Sequence, residues 1–121
     1  MFDSHILFFP VIDLARSYQF YSQILGLKLV LDQGGIQIYQ VAPGAFVGLC
    51  QHEQGPLAAD DRLILTLVTT EVDQWYERLA TGGVSVDAPP RENPRYRIYH
   101  FFARDPDGYR VEIQRFLHPF P

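Results

Sequence analysis

The sequence predicts an α+β fold, two tandem β-α-β-β-β modules forming a curved mixed sheet around a concave pocket. Three observations carry that prediction. Apolar spacing passes from strand-like to helical and back to strand-like twice along the chain. The helical stretches repeat each other: adding 58 carries Leu14, Ser17, Tyr18 and Tyr21 onto Val72, Trp75, Tyr76 and Leu79, and adding 57 carries Val11 and Gly26 onto Val68 and Gly83. The chain also ends in a hairpin signal, Asp105-Pro106-Asp107-Gly108 between two strand-like runs. A lone module would leave one sheet face bare, so the two are expected to pack together with their helices on the convex side.

Residues 6–12 are a continuous apolar run in which Pro10, having no N–H to donate, indicates a sheet edge or a bulge. Asp13 then caps a helix whose inward stripe is Leu14, Ser17, Tyr18, Tyr21 and Leu25, and Gly26 closes it in the left-handed conformation. Strands follow over 27–31, 36–41 and 45–50, separated by Asp32-Gln33-Gly34-Gly35 and Ala42-Pro43-Gly44. Module one covers about 1–52, a polar linker with Gly55-Pro56 covers about 53–61, and module two covers about 62–121.

The second module opens with a strand over 63–68. Thr70-Glu71-Val72-Asp73 fits a capping box, and the helix behind it turns Val72, Trp75, Tyr76 and Leu79 inward before Gly82-Gly83 stops it. Residues 84–86 resume strand character and 88–94 read as a proline-rich loop. In the final hairpin, 98–103 and 109–116, Pro106 presets φ, Gly108 supplies positive φ, and the aspartates can accept from nearby backbone N–H groups.

With 121 residues, 47% apolar and 20% charged, the chain is long enough to bury a core as a single domain. Its one cysteine, Cys50, excludes an internal disulfide and a cysteine-rich zinc site, leaving a small core residue as its expected role. A net charge of −4 argues against a nucleic-acid partner, and the apolar run 6–12 is too short to span a membrane. The opening residues lack a basic signal-peptide start, so a cytoplasmic location is expected. Six of the nine arginines fall between residues 91 and 115, which fits either an anionic ligand or ion pairs on a solvated sheet face.

Because strand side chains alternate, Arg110, Glu112 and Gln114 share one face of the last strand. A carboxylate among β-branched and aromatic neighbours is costly unless it is paired, solvated or metal-bound, which singles out Glu112. His100 and Phe102 share a face of the paired strand, so His100 and Glu112 can form a structural pair, exchange a proton, or hold a metal. Tyr39, Phe46, Tyr96, Tyr99, Phe101 and Phe102 fit an aromatic pocket or ordinary core packing.

Phe9-Pro10-Val11-Ile12-Asp13-Leu14-Ala15-Arg16-Ser17, followed by Phe20-Tyr21 and Leu25-Gly26-Leu27, and the late Asp105-Pro106-Asp107-Gly108-Tyr109-Arg110-Val111-Glu112-Ile113 together resemble the vicinal oxygen chelate superfamily. That superfamily includes glyoxalase I, extradiol dioxygenases, and fosfomycin and bleomycin resistance proteins. The resemblance implies the two-module fold, a homodimer and a small-molecule ligand or substrate, but no single activity. Its metal-dependent members draw His or Gln from the first strand of each half and Glu from later strands. Those places fall here on Ile6, on Leu63 or Ile64, on Gly48 and on Glu112. Only Glu112 is a donor. His5 is one residue off, on the opposite face unless a bulge near Pro10 restores it.

The expected site is therefore Glu112 and His100 as catalytic residues, with Phe102, Arg97, Tyr39, Phe46 and Tyr96 binding the ligand. A divalent metal ion, where one is used, would be held by Glu112 with His5. Arg95-Tyr96-Arg97 adjoins the loop where fosfomycin-resistance-like members contact their phosphonate through a lysine, which this chain lacks there. The expected function is binding of a small organic ligand in a partly aromatic pocket without a regular metal site. The alternative is a metal-dependent lyase, isomerase or dioxygenase acting on an oxygen-chelating substrate.

Overall fold

In a computed structural model that describes residues 1–52 and 60–121, strand β1 (His5–Val11) forms a sheet edge, where the missing N–H of Pro10 costs least. Helix α1 (Leu14–Tyr18) follows, its N-cap Asp13 accepting from Ala15 N at 2.9 Å. It continues as a π-helical turn over Gln19–Ile24, closed by Leu25 N donating to Phe20 O five residues back at 2.9 Å. Phe20 thereby joins Leu14, Ser17, Tyr21 and Leu25 in the buried stripe, while Tyr18 stays half-exposed. Gly26, at φ 74°, ends the helix. Strands β2 (Lys28–Asp32), β3 (Ile36–Ala42) and β4 (Ala45–Gln51) complete a sheet of order β1-β4-β3-β2, with β1 parallel to β4 and the rest antiparallel.

The second sheet repeats this topology. It comprises β5 (Ile64–Val68), helix α2 (Val72–Thr81), β6 (Arg91–Asn93), β7 (Ile98–Arg104) and β8 (Arg110–Phe116), in the order β5-β8-β7-β6 with β5 parallel to β8. The α+β fold of two β-α-β-β-β modules with mixed four-stranded sheets is thus the observed one.

Two local expectations are corrected. Residues 84–86 form only a single bridge, Val86 with Ala103, and the strand that follows α2 is instead Arg91–Asn93, inside the stretch read as a loop. Pro89 and Pro90 lack N–H groups, but Arg91 to Asn93 do not, and they pair with β7 opposite His100, Tyr99 and Ile98. The capping box does not form either, because Glu71 is the N-cap and makes no side-chain cap bond. Thr69 Oγ1 accepts from Glu71 N at 3.1 Å, and the Asp73 carboxylate accepts from Tyr99 OH at 2.5 Å, tying α2 to β7.

The chain divides into two compact units, Met1–Ala58 and Ala59–Pro121. The linker expected at about 53–61 falls mainly on residues 53–59, outside the described residues. In the first unit Phe9, Val11, Tyr21, Tyr39, Val47 and Leu49 are buried, and in the second Val72, Leu79, Phe101, Val111 and Ile113. Each such side chain stabilises its unit by about 1.5–3 kcal/mol relative to exposure. Among the described residues no helix is long and apolar enough to cross a membrane.

The last hairpin is built as its residues dictate. Asp105 Oδ1 accepts from Asp107 N and Tyr109 N, both at 2.9 Å, and Gly108 adopts φ 89°. That turn sets the register Phe102 opposite Glu112 and His100 opposite Gln114, while the parallel pairing puts Thr66 opposite Glu112. Tyr76 meets Phe101 edge to face on the α2 side. Thr66, Glu112, Gln114, His100, Phe102 and Arg110 therefore share the face turned away from α2.

Candidate functional site

Glu112, at 8% exposure, sits mid-strand on that face and is satisfied from three sides. Thr66 Oγ1 donates to Oε1 at 2.9 Å, and His100 Nδ1 lies 2.6 Å from Oε2. The Gln114 amide, with its nitrogen toward Glu112, donates to Oε1 at 3.3 Å and to Oε2 at 3.2 Å. With Glu112 ionised the carboxylate can only accept, so His100 Nδ1 carries the hydrogen and Nε2 presents either a lone pair or a second N–H. Dense hydrogen bonding is what lets a carboxylate persist among apolar neighbours without large cost.

Phe102 borders this pair. Its ring meets the His100 imidazole edge to face, centroids 5.2 Å apart, and the Arg110 guanidinium carbon stands 4.3 Å over it. Two grooves open beside them, of about 420 Å³ and about 220 Å³, and Arg91, His100 and Phe102 line both. Ile64, Ile98 and Tyr96 add apolar and aromatic walls to the larger one, and Arg110 borders the smaller. Arg104, next along the face, is already paired with Asp61 at 2.5 Å, a contact that holds Asp61 below the usual carboxylate range. Arg91 and Arg110 have no carboxylate ion-pair partner among the described residues.

The structure therefore brings together His100, Glu112, Phe102 and Tyr96 around the second sheet. Arg97 is not among these wall residues. It occupies the β6–β7 turn at φ 53°, exposed, its carbonyl accepting from Leu117 N at 2.9 Å. Arg91 takes the groove position instead, which sequence reading missed because β6 looked like loop. Tyr39 is fully buried on the α1 side of the first sheet, against Tyr21 at 5.8 Å between centroids, with its hydroxyl donating to Gln37 Oε1 at 2.7 Å. Burial and the nearby Tyr18 and Asp32 push its hydroxyl pKa up to about 12. Phe46, in contrast, lies half-buried on the face turned away from α1, opposite Ile6 and Gln40.

His5 stays off that face. β1 runs in unbroken register with β4 from His5 opposite Ala45 to Val11 opposite Gln51, so no bulge rotates His5 away from the side of Phe9 and Val11. Thr66 and Gln114 were also missed as Glu112 partners. The β5–β8 register that aligns Thr66 is set by parallel pairing, for which a sequence carries no turn signal.

A family profile described as the Glyoxalase/Bleomycin resistance protein/Dioxygenase superfamily matches residues 4–113. The chain belongs to that superfamily. An uncharacterized protein, YraH, from Bacillus subtilis (strain 168) is 26% identical over 119 residues, covering 87% of this chain and 91% of that protein. Solved structures share the fold. A glyoxalase/bleomycin resistance protein/dioxygenase from Nocardioides superposes with a TM-score of 0.77 at 21% identity, covering 99% of this chain and 86% of that one. A glyoxalase-related enzyme from Fulvimarina pelagi reaches 0.78 at 22% identity, covering 95% and 88%.

The four places where metal-dependent members of the superfamily carry donors test whether this chain suits such a metal. Ile6 and Ile64 occupy the two first-strand places on the faces turned away from the helices, opposite Phe46 and Arg110. Gly48 fills the third, with the Phe8 ring lying so close over it that an added Cβ would clash. Only Glu112 offers oxygen, and its oxygens are already bound by Thr66, His100 and Gln114. No group of three or more His, Cys, Asp or Glu side chains gathers among the described residues. This donor set does not fit the superfamily's metal centre.

Proposed function

We propose that this protein binds a small organic molecule against the face of the second sheet turned away from α2, with His100 and Glu112 as the polar end of the site and Phe102 and Tyr96 as its aromatic walls. One observation carries the reading: a buried His–Glu pair, joined through His100 Nδ1, beside two grooves that both have His100 in their walls, one of about 420 Å³, in the size range of small-molecule sites. Binding runs through hydrogen bonds to the imidazole and stacking on the rings, without a four-donor metal. The two modules act as one domain, and the protein works as a homodimer, which sedimentation equilibrium tests directly.

The deciding experiment is a fragment screen by two-dimensional NMR on uniformly labelled protein in excess EDTA, repeated after dialysis against divalent metal ions. Saturable shifts around His100, Phe102 and Ile98 in EDTA are the expected result. Ligand binding seen only after a metal is added would reverse the reading in favour of a metal-dependent enzyme.

A further inference from the structure

Two arginines set this site apart from a generic apolar groove. Resting on the binding reading above, we infer that its ligand is a planar carboxylic acid whose anionic end lies between Arg91 and Arg110. Arg62 and Arg104 are each spoken for, by Asp60 at 2.8 Å and Asp61 at 2.5 Å. Arg91 and Arg110 have no such partner among the described residues, although the chain as a whole is acidic.

Their placement suits recognition. Arg110 stands over Phe102, 4.3 Å from guanidinium carbon to ring centroid, a cation–π contact that helps hold it in place and leaves its N–H groups to donate to a ligand. A pre-positioned guanidinium loses less side-chain entropy when it binds. Arg91 is the charged side chain common to both grooves; Arg110 and Asp87 line only the smaller, and Glu92 and the His100-bound Glu112 only the larger, so the cationic end lies at the seam and the smaller groove. Arg110 also helps to lower the Asp61 carboxyl, but the direct ion pair of Asp61 is with Arg104.

The class of anion follows from the walls. Two guanidinium forks match the paired oxygens of a carboxylate and would hold phosphate as well, so it is the apolar walls that favour an organic acid. Phe102, Tyr96, Ile64 and Ile98 favour a flat apolar body in the larger groove. His100, which lines the groove and is held through Nδ1 by Glu112, leaves Nε2 as a further hydrogen-bonding atom for the ligand.

The probes are benzoate, phenylacetate and 2-naphthoate, each against its neutral carboxamide, with inorganic phosphate as competitor, all in EDTA and read by NMR titration. The acids should bind at least about tenfold more tightly than the amides, and Arg91→Gln, an exposed change, should erase about tenfold of that preference. Arg110→Gln should do the same, with circular dichroism confirming that its fold survives. Equal binding of acids and amides, or an unchanged preference in both variants, overturns the carboxylate inference but leaves the groove as a small-molecule site. Phosphate displacing the acids at equal concentration overturns the choice of carboxylate. Saturable binding of none of the aromatic probes, charged or neutral, defeats this inference and the binding reading together.

Discussion

The two sheets share one topology, and one triplet of facing positions shows how differently they use it. In the second sheet the register aligns Thr66, Glu112 and Phe102; in the first, the corresponding register aligns Phe8, Gly48 and Ile38. One triplet is a hydrogen-bonded carboxylate site, and the other is an aromatic ring laid over a glycine. The fold supplies the same central-strand position twice, and side-chain volume decides whether it becomes a site or a plug. Gly48 is small because Phe8 occupies the space its side chain would need.

Moving the acid into the plugged sheet is the strongest way to break that contrast. Gly48→Glu should destabilise the protein by about 3 kcal/mol, from overpacking against Phe8 and burial of an unpaired charge. Adding Phe8→Thr, which makes room and offers the hydroxyl found at Thr66, should recover at least about 1 kcal/mol; urea denaturation of the single and double variants measures the coupling. Strictly additive losses would show that the two sheets are not interchangeable at this position.

Glu112→Ala comes next, with an expected loss of about 2–3 kcal/mol because it leaves the donors of Thr66, His100 and Gln114 without an acceptor. Glu112→Gln, which keeps an acceptor oxygen, should cost about half as much. Chemical denaturation at pH 7 separates the two. Phe8→Ala should be milder still, about 1–2 kcal/mol, since the ring is 45% exposed.

The smallest effect concerns alkali. Tyr39, in the first unit, has its pKa raised to about 12, mainly by burial, so the folded state keeps its proton after the unfolded chain has begun to lose it. Stability is whole below about pH 10 and falls between about pH 10 and 12. In the second unit Tyr109 is also raised by burial. Urea midpoints across that pH range for Tyr39→Phe and Tyr109→Phe should each show a shallower decline than the parent, with Tyr39→Phe the flatter of the two.

The architecture was legible because its signals are local: Asp13 before an apolar stripe, glycines after each helix, and Asp-Pro-Asp-Gly in the hairpin. Glu112 and His100 were legible for the same reason, lying on strands joined by a short turn whose register the turn itself sets. Arg91 was hidden by two prolines that made a strand look like a loop, and Thr66 by a parallel pairing of distant segments. Arg97 and Tyr39, singled out by residue type, lie outside the walls of the two grooves. An exposed turn and a helix-covered core position attract the same residues as a binding site does.

The π-helical turn after α1 also accounts for an arithmetic oddity. Tyr21 precedes Gly26 by five residues, whereas Leu79, its counterpart, precedes Gly83 by four. One extra residue in an α-helix would rotate everything beyond it by about 100°. Here the bond from Leu25 N to Phe20 O takes up that residue within a single turn, so the cap at Asp13 and the exit at Gly26 keep their places. The first helix thus tolerates a change in length that would ordinarily throw a duplicated segment out of phase, and deleting Gln23 should leave both copies of the repeat aligned.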